Sequence, residues 1–305
     1  MKKILVIGSL NMDTVIETPY MPKSGETLTG TGVFLVPGGK GANQAYAAGK
    51  LGGNVSMIGA VADDSFGAML NENLKSVGVN TSGIAVMEGE TTGQAFITVD
   101  STGANSIILI GGTNALVGKE LIDKNRSLIE ECDILMMQLE IDPDVVEYAK
   151  DMAVSLGKMV ILDPAPAKGN LPDSIWKGVD YIKPNETELE ILVGRTLQGE
   201  DERRAAAEEL RDKGVKNVLV SLGGDGLLLV NEEGCRFFPA HKVTAVDTTA
   251  AGDCFTASFA LALSKGESVE DAIRFGQKAS AIAVTRKGAQ TSIPSLEEVL
   301  AYAPN

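Results

Sequence analysis

Three observations predict that this chain adopts an α/β fold, a mostly parallel sheet covered by helices on both faces. Short β-branched runs alternate with amphipathic or alanine-rich stretches along most of its 305 residues. Polar residues suited to ligand contacts stand just after several of those runs. Two stretches, 14–36 and 91–109, drop the alternation for β-branched and polar residues broken by turn signals. The alternation is the pattern of βαβ units, in which a helix carries the chain back between parallel strands.

Taken in order, residues 3–8 form a first apolar strand that runs into Gly8-Ser9-Leu10-Asn11-Met12-Asp13. The glycine-rich segment Pro37-Gly38-Gly39-Lys40-Gly41-Ala42-Asn43-Gln44-Ala45 opens a small-residue helix that reaches Leu51. Residues 92–100 and 106–110, joined by Ser101-Thr102-Gly103-Ala104-Asn105, read as a hairpin. The alternation then resumes with strands at 132–137, 159–162, 181–183 and 217–221, and with helices at 143–156 and 202–213. Near the end, Asp247-Thr248-Thr249-Ala250-Ala251-Gly252-Asp253 leads into an apolar helical run at 254–263. Parallel sheets bind ligands at the carboxyl ends of their strands, and Asp13, Glu140, Asp163 and Asn185 each follow an apolar strand candidate.

Composition narrows the function. The length suits one large domain with an appendage. Hydrophobic residues make up 44%, charged residues 22% and aromatic residues 5%, a balance ordinary for a soluble enzyme. A formal charge of −14 argues against a nucleic-acid surface and means that an anionic ligand has to be held by local donors and a cation. The five-residue apolar strand after Met1-Lys2-Lys3 is too short for a signal peptide or membrane span, so a cytoplasmic protein without a membrane partner is expected. The three cysteines, Cys132, Cys235 and Cys254, lie far apart without metal spacing and read as free buried thiols. With His241 the sole histidine, acid–base chemistry falls to a carboxylate.

Asp253 is the candidate. It arrives at a helix start together with the backbone N–H groups of Ala250, Ala251 and Gly252, and a helix N-terminus holds a phosphate and stabilises charge that builds on it. A carboxylate beside a phosphoryl group can take the proton of an attacking hydroxyl. The same seven residues also fit a plain helix cap followed by core. Asn11 and Asp13, two apart after a strand, can point the same way, and an amide paired with a carboxylate suits adjacent sugar hydroxyls; an Asx turn is the alternative. Asn185 and Glu188 can hold magnesium, a cation that takes oxygen ligands and keeps waters, or can simply begin a helix with an acidic first turn. Neither glycine-rich run is a P-loop or a Rossmann fingerprint, because Gly41 follows Lys40 and no G-x-G-x-x-G follows the first strand.

The two glycine-rich runs, together with Pro184-Asn185-Glu186-Thr187-Glu188, Ser221-Leu222-Gly223-Gly224-Asp225-Gly226 and Val284-Thr285-Arg286-Lys287-Gly288-Ala289-Gln290, resemble in content and order the signatures of the ribokinase-like sugar kinases, the phosphofructokinase-B family. The resemblance spans almost the whole chain. It implies a single three-layer α/β/α domain over residues 1–305 with a small β-sheet lid from about 14–36 and 91–110, two such lids pairing in a homodimer. It implies ATP-dependent phosphorylation of a sugar, ribose before 2-deoxyribose, a hexose or a nucleoside, with a catalytically silent sugar sensor as the remote alternative. The sugar pocket would comprise Asn11, Asp13, Gly38, Gly39, Lys40, Asn43, Glu140 and Asp253. The nucleotide would meet Asn185, Ser221, Gly223, Gly224, Asp225, Gly226, Gly252 and, at the adenine edge, Gln277. Glu188 would organise Mg2+ through water, and Asp247, Thr249, Ala283, Arg286, Gly288 and Ser292 would surround K+, mostly through backbone carbonyls.

Overall fold

The computed structural model describes residues 1–303. Its strands are β1 (Lys3–Ile7), β2 (Asn11–Glu17), β3 (Gly32–Gly38), β4 (Asn54–Ala62), β5 (Asn80–Met87), β6 (Gly93–Val99), β7 (Asn105–Ile110), β8 (Ile134–Met137), β9 (Met159–Leu162), β10 (Tyr181–Ile182), β11 (Asn217–Ser221), β12 (Gly226–Asn231) and β13 (Gly234–Pro239). Its helices are α1 (Lys40–Lys50), α2 (Ser65–Ser76), α3 (Lys119–Lys124), α4 (Arg126–Glu131), α5 (Pro143–Ser155), α6 (Glu186–Val193), α7 (Gly199–Asp212), α8 (Ala251–Ser264), α9 (Val269–Ala283) and α10 (Leu296–Ala301).

Nine strands form one sheet in the order β13-β12-β11-β10-β9-β8-β1-β4-β5. Every neighbour from β11 to β5 is parallel, and β12 and β13 add an antiparallel edge. Strand residues alternate between two cores. Ile4 and Val6 join the layer of α1, α8 and α9, while Leu5 and Ile7 join the layer of α5, α6 and α7. A sheet covered on both faces has to be apolar on both, which is why these strands read as continuous hydrophobic runs. Helix α8 is apolar all round because it is central: every residue from Asp253 to Ser264 is buried.

The second sheet is four-stranded, β3-β2-β6-β7, with β2 parallel to β6 and antiparallel to β3. Its first strand begins at Asn11, only three residues after β1 ends. Asn11 and Asp13 therefore lie within a strand of this sheet, not in a loop after a strand of the large one. The reason is local: the break at Gly8-Ser9-Leu10 lets the chain turn out of one sheet and enter the next. Outer strand β7 has all six residues exposed, and Val33, Phe34, Leu35, Ile107 and Ile108 are each about half exposed or more.

Glycine is required where α1 docks. Gly39 has φ 86°, a left-handed value that favours glycine. At Gly41 a Cβ would lie 2.6 Å from the Ser9 nitrogen and 2.7 Å from the Gly8 carbonyl carbon, so the helix could not approach the end of β1 with any larger residue.

Candidate active site

The N-terminus of α8, the N-terminus of α1 and the ends of β8, β9 and β10 meet around Asp253. Ala250 caps α8 in the left-handed region at φ 58°, the one non-glycine residue with positive φ among those described. No side chain caps this helix end, so Asp253 is not a cap; the Ala251 N–H donates to the Thr248 carbonyl at 3.2 Å, and the Gly252 N–H, with no partner among the described residues, stays available to a ligand. Strain of this kind persists only where surrounding structure enforces it.

Asp253 is 6% exposed and accepts hydrogen bonds on both oxygens, from Asn43 Nδ2 at 2.9 Å and from Gln44 Nε2 at 3.2 Å. Burial pushes its carboxyl up to about 6, with Lys40 acting against the rise, Asp163 adding to it and the two amides opposing it. Burial, then the nearby Glu140 and Asp253, pushes Asp13 up to about 7. Lys40 feels burial against its charge, but Asp253, Asp163 and Glu140 outweigh that and hold it firmly protonated. Glu140 accepts the Lys40 backbone N–H at 2.9 Å and a short bond from Ser9 Oγ, tying the end of β8 to the start of α1.

Asn11 is buried and accepts from Asn114 Nδ2 at 2.7 Å. At Gly38 a Cβ would fall 2.2 Å from Asp13 Oδ2, so the glycine leaves room for the carboxylate. Asn11, Asp13, Gly38, Gly39, Lys40, Asn43 and Glu140 are thus held around one place by β2, β3, α1 and the turn after β8.

On the other side of Gly252 lies a cavity of about 340 Å3, lined by Asn185, Ser221, Gly223, Gly224, Gly226 and Gln277 among others. Asp225 sits in the exposed β11–β12 turn, where its N–H donates to the Leu222 carbonyl. Gln277 spends its Nε2 on the carbonyls of Phe238 and Pro239, at 3.1 and 3.3 Å, leaving its oxygen for a ligand. Asn185 and Glu188 form a capping box at α6, each side chain bonded to the other's backbone N–H at 2.8 Å. That geometry is the plain helix start, and it leaves Asn185 Nδ2 and one Glu188 oxygen over.

Asp247 bridges two loops. It accepts from the Thr249 N–H and the Gly288 N–H, both at 2.9 Å, while the Val284 carbonyl accepts from the N–H groups of Val246 and Asp247. Arg286 turns away to pair with Glu298, and Ser292 donates back to the Ala289 carbonyl. Gly288 and Val284 are thereby tied to Asp247, while the side chains of Arg286 and Ser292 are engaged elsewhere. Among the described residues no cluster of His, Cys, Asp and Glu forms a metal centre.

Sequence reasoning missed Lys183. Its side chain is buried, its Nζ lies 3.6 Å from Asp163 Oδ2, and a Cβ on Gly252 would fall 3.1 Å from that nitrogen. A lysine closing an apolar strand before Pro184-Asn185 was the available signal. Asp163 Oδ1 is buried with no hydrogen-bond partner among the described residues. Of the cysteines, Cys132 and Cys254 are buried and Cys235 is partly so, all free.

Comparison with known proteins agrees with this arrangement. A model of the pfkB family carbohydrate kinases matches residues 1–296. A ribokinase of Haemophilus influenzae is 42% identical over 99% of this chain and 98% of its own, and a deoxyribokinase of Salmonella typhimurium is 40% identical over 98% of each. The structure of Arabidopsis thaliana ribokinase complexed with ribose and ATP superimposes with a TM-score of 0.92 at 32% identity, covering 98% of this chain and 97% of that one. With the match running from the first strand to the start of α10, and with the ribokinase-like fold shared over almost the whole chain, the chain belongs to the pfkB family of carbohydrate kinases.

Proposed function

We propose that the protein phosphorylates D-ribose at its O5 hydroxyl with ATP, giving ribose 5-phosphate and ADP. The observation that carries the reading is the position of Asp253, a buried carboxylate between the polar cluster of Asn11, Asp13 and Lys40 and the cavity flanking Gly252. In this reading the body is one domain over residues 1–305 with the four-stranded sheet as its lid, and the enzyme works in the cytoplasm. Among the described residues no helix is long and apolar enough to cross a membrane.

Ribose enters among Asn11, Asp13, Gly38, Gly39, Lys40, Asn43 and Glu140, whose acceptors and donors match its hydroxyls. ATP enters along Asn185, Ser221, Gly223 to Gly226 and Gln277, with its γ-phosphate at Gly252. The O5 proton passes to Asp253 as the oxygen attacks phosphorus in line, and the N–H groups of Ala250 and Gly252 hold the charge on the transferred group, the Ala251 N–H being spent on the Thr248 carbonyl. Lys183 adds an ammonium beside the same place. Glu188, through water, would hold magnesium, with the unpartnered Asp163 Oδ1 as a further acceptor, and the ion would supply charge neutralisation on the phosphates. Potassium fits the paired loops of Asp247, Thr249, Ala283, Arg286, Gly288 and Ser292, whose carbonyls can gather round a cation while their side chains are spent.

Asp253→Asn tests the base. The amide keeps the volume but takes no proton, so kcat should fall about 100-fold or more with folding intact. In the wild type, kcat should rise with pH through about 6, because the carboxylate has to be ionised to accept the proton. A variant keeping more than about a tenth of wild-type kcat would overturn the assignment.

The deoxyribokinase relative, as similar as the ribokinase, supports a second reading in which 2-deoxyribose is the substrate. A pocket built round the 2-hydroxyl leaves polar groups unpaired when that group is missing, at about 1–3 kcal/mol. Ribose should therefore show a kcat/KM about 5- to 150-fold above 2-deoxyribose in a coupled ADP-release assay. The reverse order would replace ribose by its deoxy analogue, and equal values would make the enzyme a broader pentose kinase.

For the cations, omission of Mg2+ should abolish turnover, and K+ at fixed ionic strength should raise kcat well above Na+ or a bulky ammonium salt. Activity indifferent to K+ in exhaustively potassium-free enzyme would reject the loop site.

We also propose a homodimer through the lid. In the β2–β3 and β6–β7 registers Leu35, Phe96 and Ile108 line up on the face opposite Asp13, exposed by 38% to 64%. A bare apolar face of this kind calls for a cover, and a second lid is the cover of matching shape. Sedimentation should give a dimer for the wild type and a monomer for Ile108→Asp; a wild-type monomer at micromolar concentration would refute it.

A further inference from the structure

Gln290 lies in a short 3-10 turn after α9, 2% exposed, and none of the substrate contacts proposed above uses it. It is the middle link of a chain of amides that ends on the base. Asn73 Nδ2, from α2, donates to Gln290 Oε1; Gln290 Nε2 donates to Asn43 Oδ1 at 3.0 Å; and Asn43 Nδ2 donates to Asp253 Oδ2 at 2.9 Å. The direction of the chain follows from chemistry. An ionised carboxylate only accepts, so Asn43 has to turn its NH2 group toward Asp253. Its oxygen then faces inward in a buried place and needs a donor, which is the Gln290 amide. The Gln290 oxygen needs one in turn, and Asn73 provides it. A second chain, from Gln138 Nε2 to Gln44 Oε1 at 2.7 Å and from Gln44 Nε2 to Asp253 Oδ1, holds the other oxygen in the same sense.

We propose that Gln290 is a positioning residue for phosphoryl transfer, holding the Asn43 amide so that its N–H group stays on Asp253. The proposal rests on Asp253 being the base of the sugar kinase. Without Gln290, Asn43 is free to rotate its amide, and the carboxylate loses a donor that favours its ionised form. The charged groups around Asp253 are Lys40 from α1, Asp163 after β9, Lys183 after β10, Asp13 from β2 and Glu140 after β8. None of them bonds to Gln290, so a change in the pH profile on altering Gln290 reports the amide chain.

The test is kcat against pH from about 5 to 9, at saturating ribose, MgATP and K+, for the wild type, Gln290→Met and Asn73→Ala. Met keeps the length and the burial of Gln but neither donates nor accepts. The acid limb should move up by about one pH unit in Gln290→Met, a roughly fivefold loss near pH 6 that narrows to within about twofold near pH 8.5. Asn73→Ala, on a partly exposed helix position that tolerates truncation, should move the limb the same way by less, and it carries the test if Gln290→Met fails to fold. An unmoved limb, or an equal loss at every pH alongside a lowered Tm, would overturn the proposal. If the wild type turns over ribose and Asp253→Asn does not, such a result removes the positioning role alone; if Asp253→Asn keeps its activity, the base reading falls and this one with it.

Discussion

The chemistry proposed for this protein depends on keeping one buried carboxylate ionisable without pairing it off. Asp253 has no ion-pair partner within 4 Å among the described residues, and Lys40 acts on it from further away. A direct contact with a lysine would pull its pKa down and make it a poor proton acceptor, whereas burial with no donors would leave it protonated at neutral pH. Neutral amides from Asn43 and Gln44 provide the middle course. They solvate the negative form without cancelling its charge. Lys183, the other nearby ammonium, is taken up by Asp163 instead.

That arrangement explains the sequence around α1 and α8. Helix α1 has to bring Asn43 and Gln44 to Asp253 and also press against the end of β1, which admits no side chain at Gly41. Helix α8 begins with no side-chain cap and leaves the Gly252 N–H without a partner among the described residues, so its first residues are small and Ala250 adopts a left-handed backbone. Both helices then run through the core, where alanine and glycine let them pack closely. The glycine-rich segments are the visible trace of these two demands.

This is also why the site was largely legible in the sequence and its support was not. Small residues before an apolar helix, carboxylates after apolar strands and the alternation itself are local signals, and they located Asp253, Glu140, Asp163 and the parallel sheet. Asn11 and Asp13 were found for their chemistry, yet their strand belongs to the second sheet, because nothing in a three-residue break tells which sheet the chain enters next. The antiparallel edge of β12 and β13 leaves the same apolar pattern as a parallel pair. The amides Asn73 and Gln138 carry no period and no motif, and Gln290 ends a motif segment that says nothing of its partners; they converge only because α2, the turn after β8 and the turn after α9 are brought together by folding, across as many as 247 positions between Asn43 and Gln290.

The net charge of −14 sets the remaining constraint. At distances beyond about 8–10 Å in physiological salt that field is screened, so it slows the approach of an anionic nucleotide only modestly. Inside the site the balance is reversed locally, by the N–H groups of α8, by Lys183 beside Gly252 and by Lys242, whose Nζ binds the Gly224 carbonyl at 3.2 Å and steadies the β11–β12 turn. Low dielectric makes the buried Lys183 count for more than the many exposed carboxylates. In the reading proposed above, the acidic residues of the site have a use of their own: Asp13, Glu140 and Asp253 would face a neutral sugar, which needs acceptors where an anion does not. On that reading one end of the cleft serves hydroxyl groups and the other phosphates, with Gly252-Asp253 as the boundary between them.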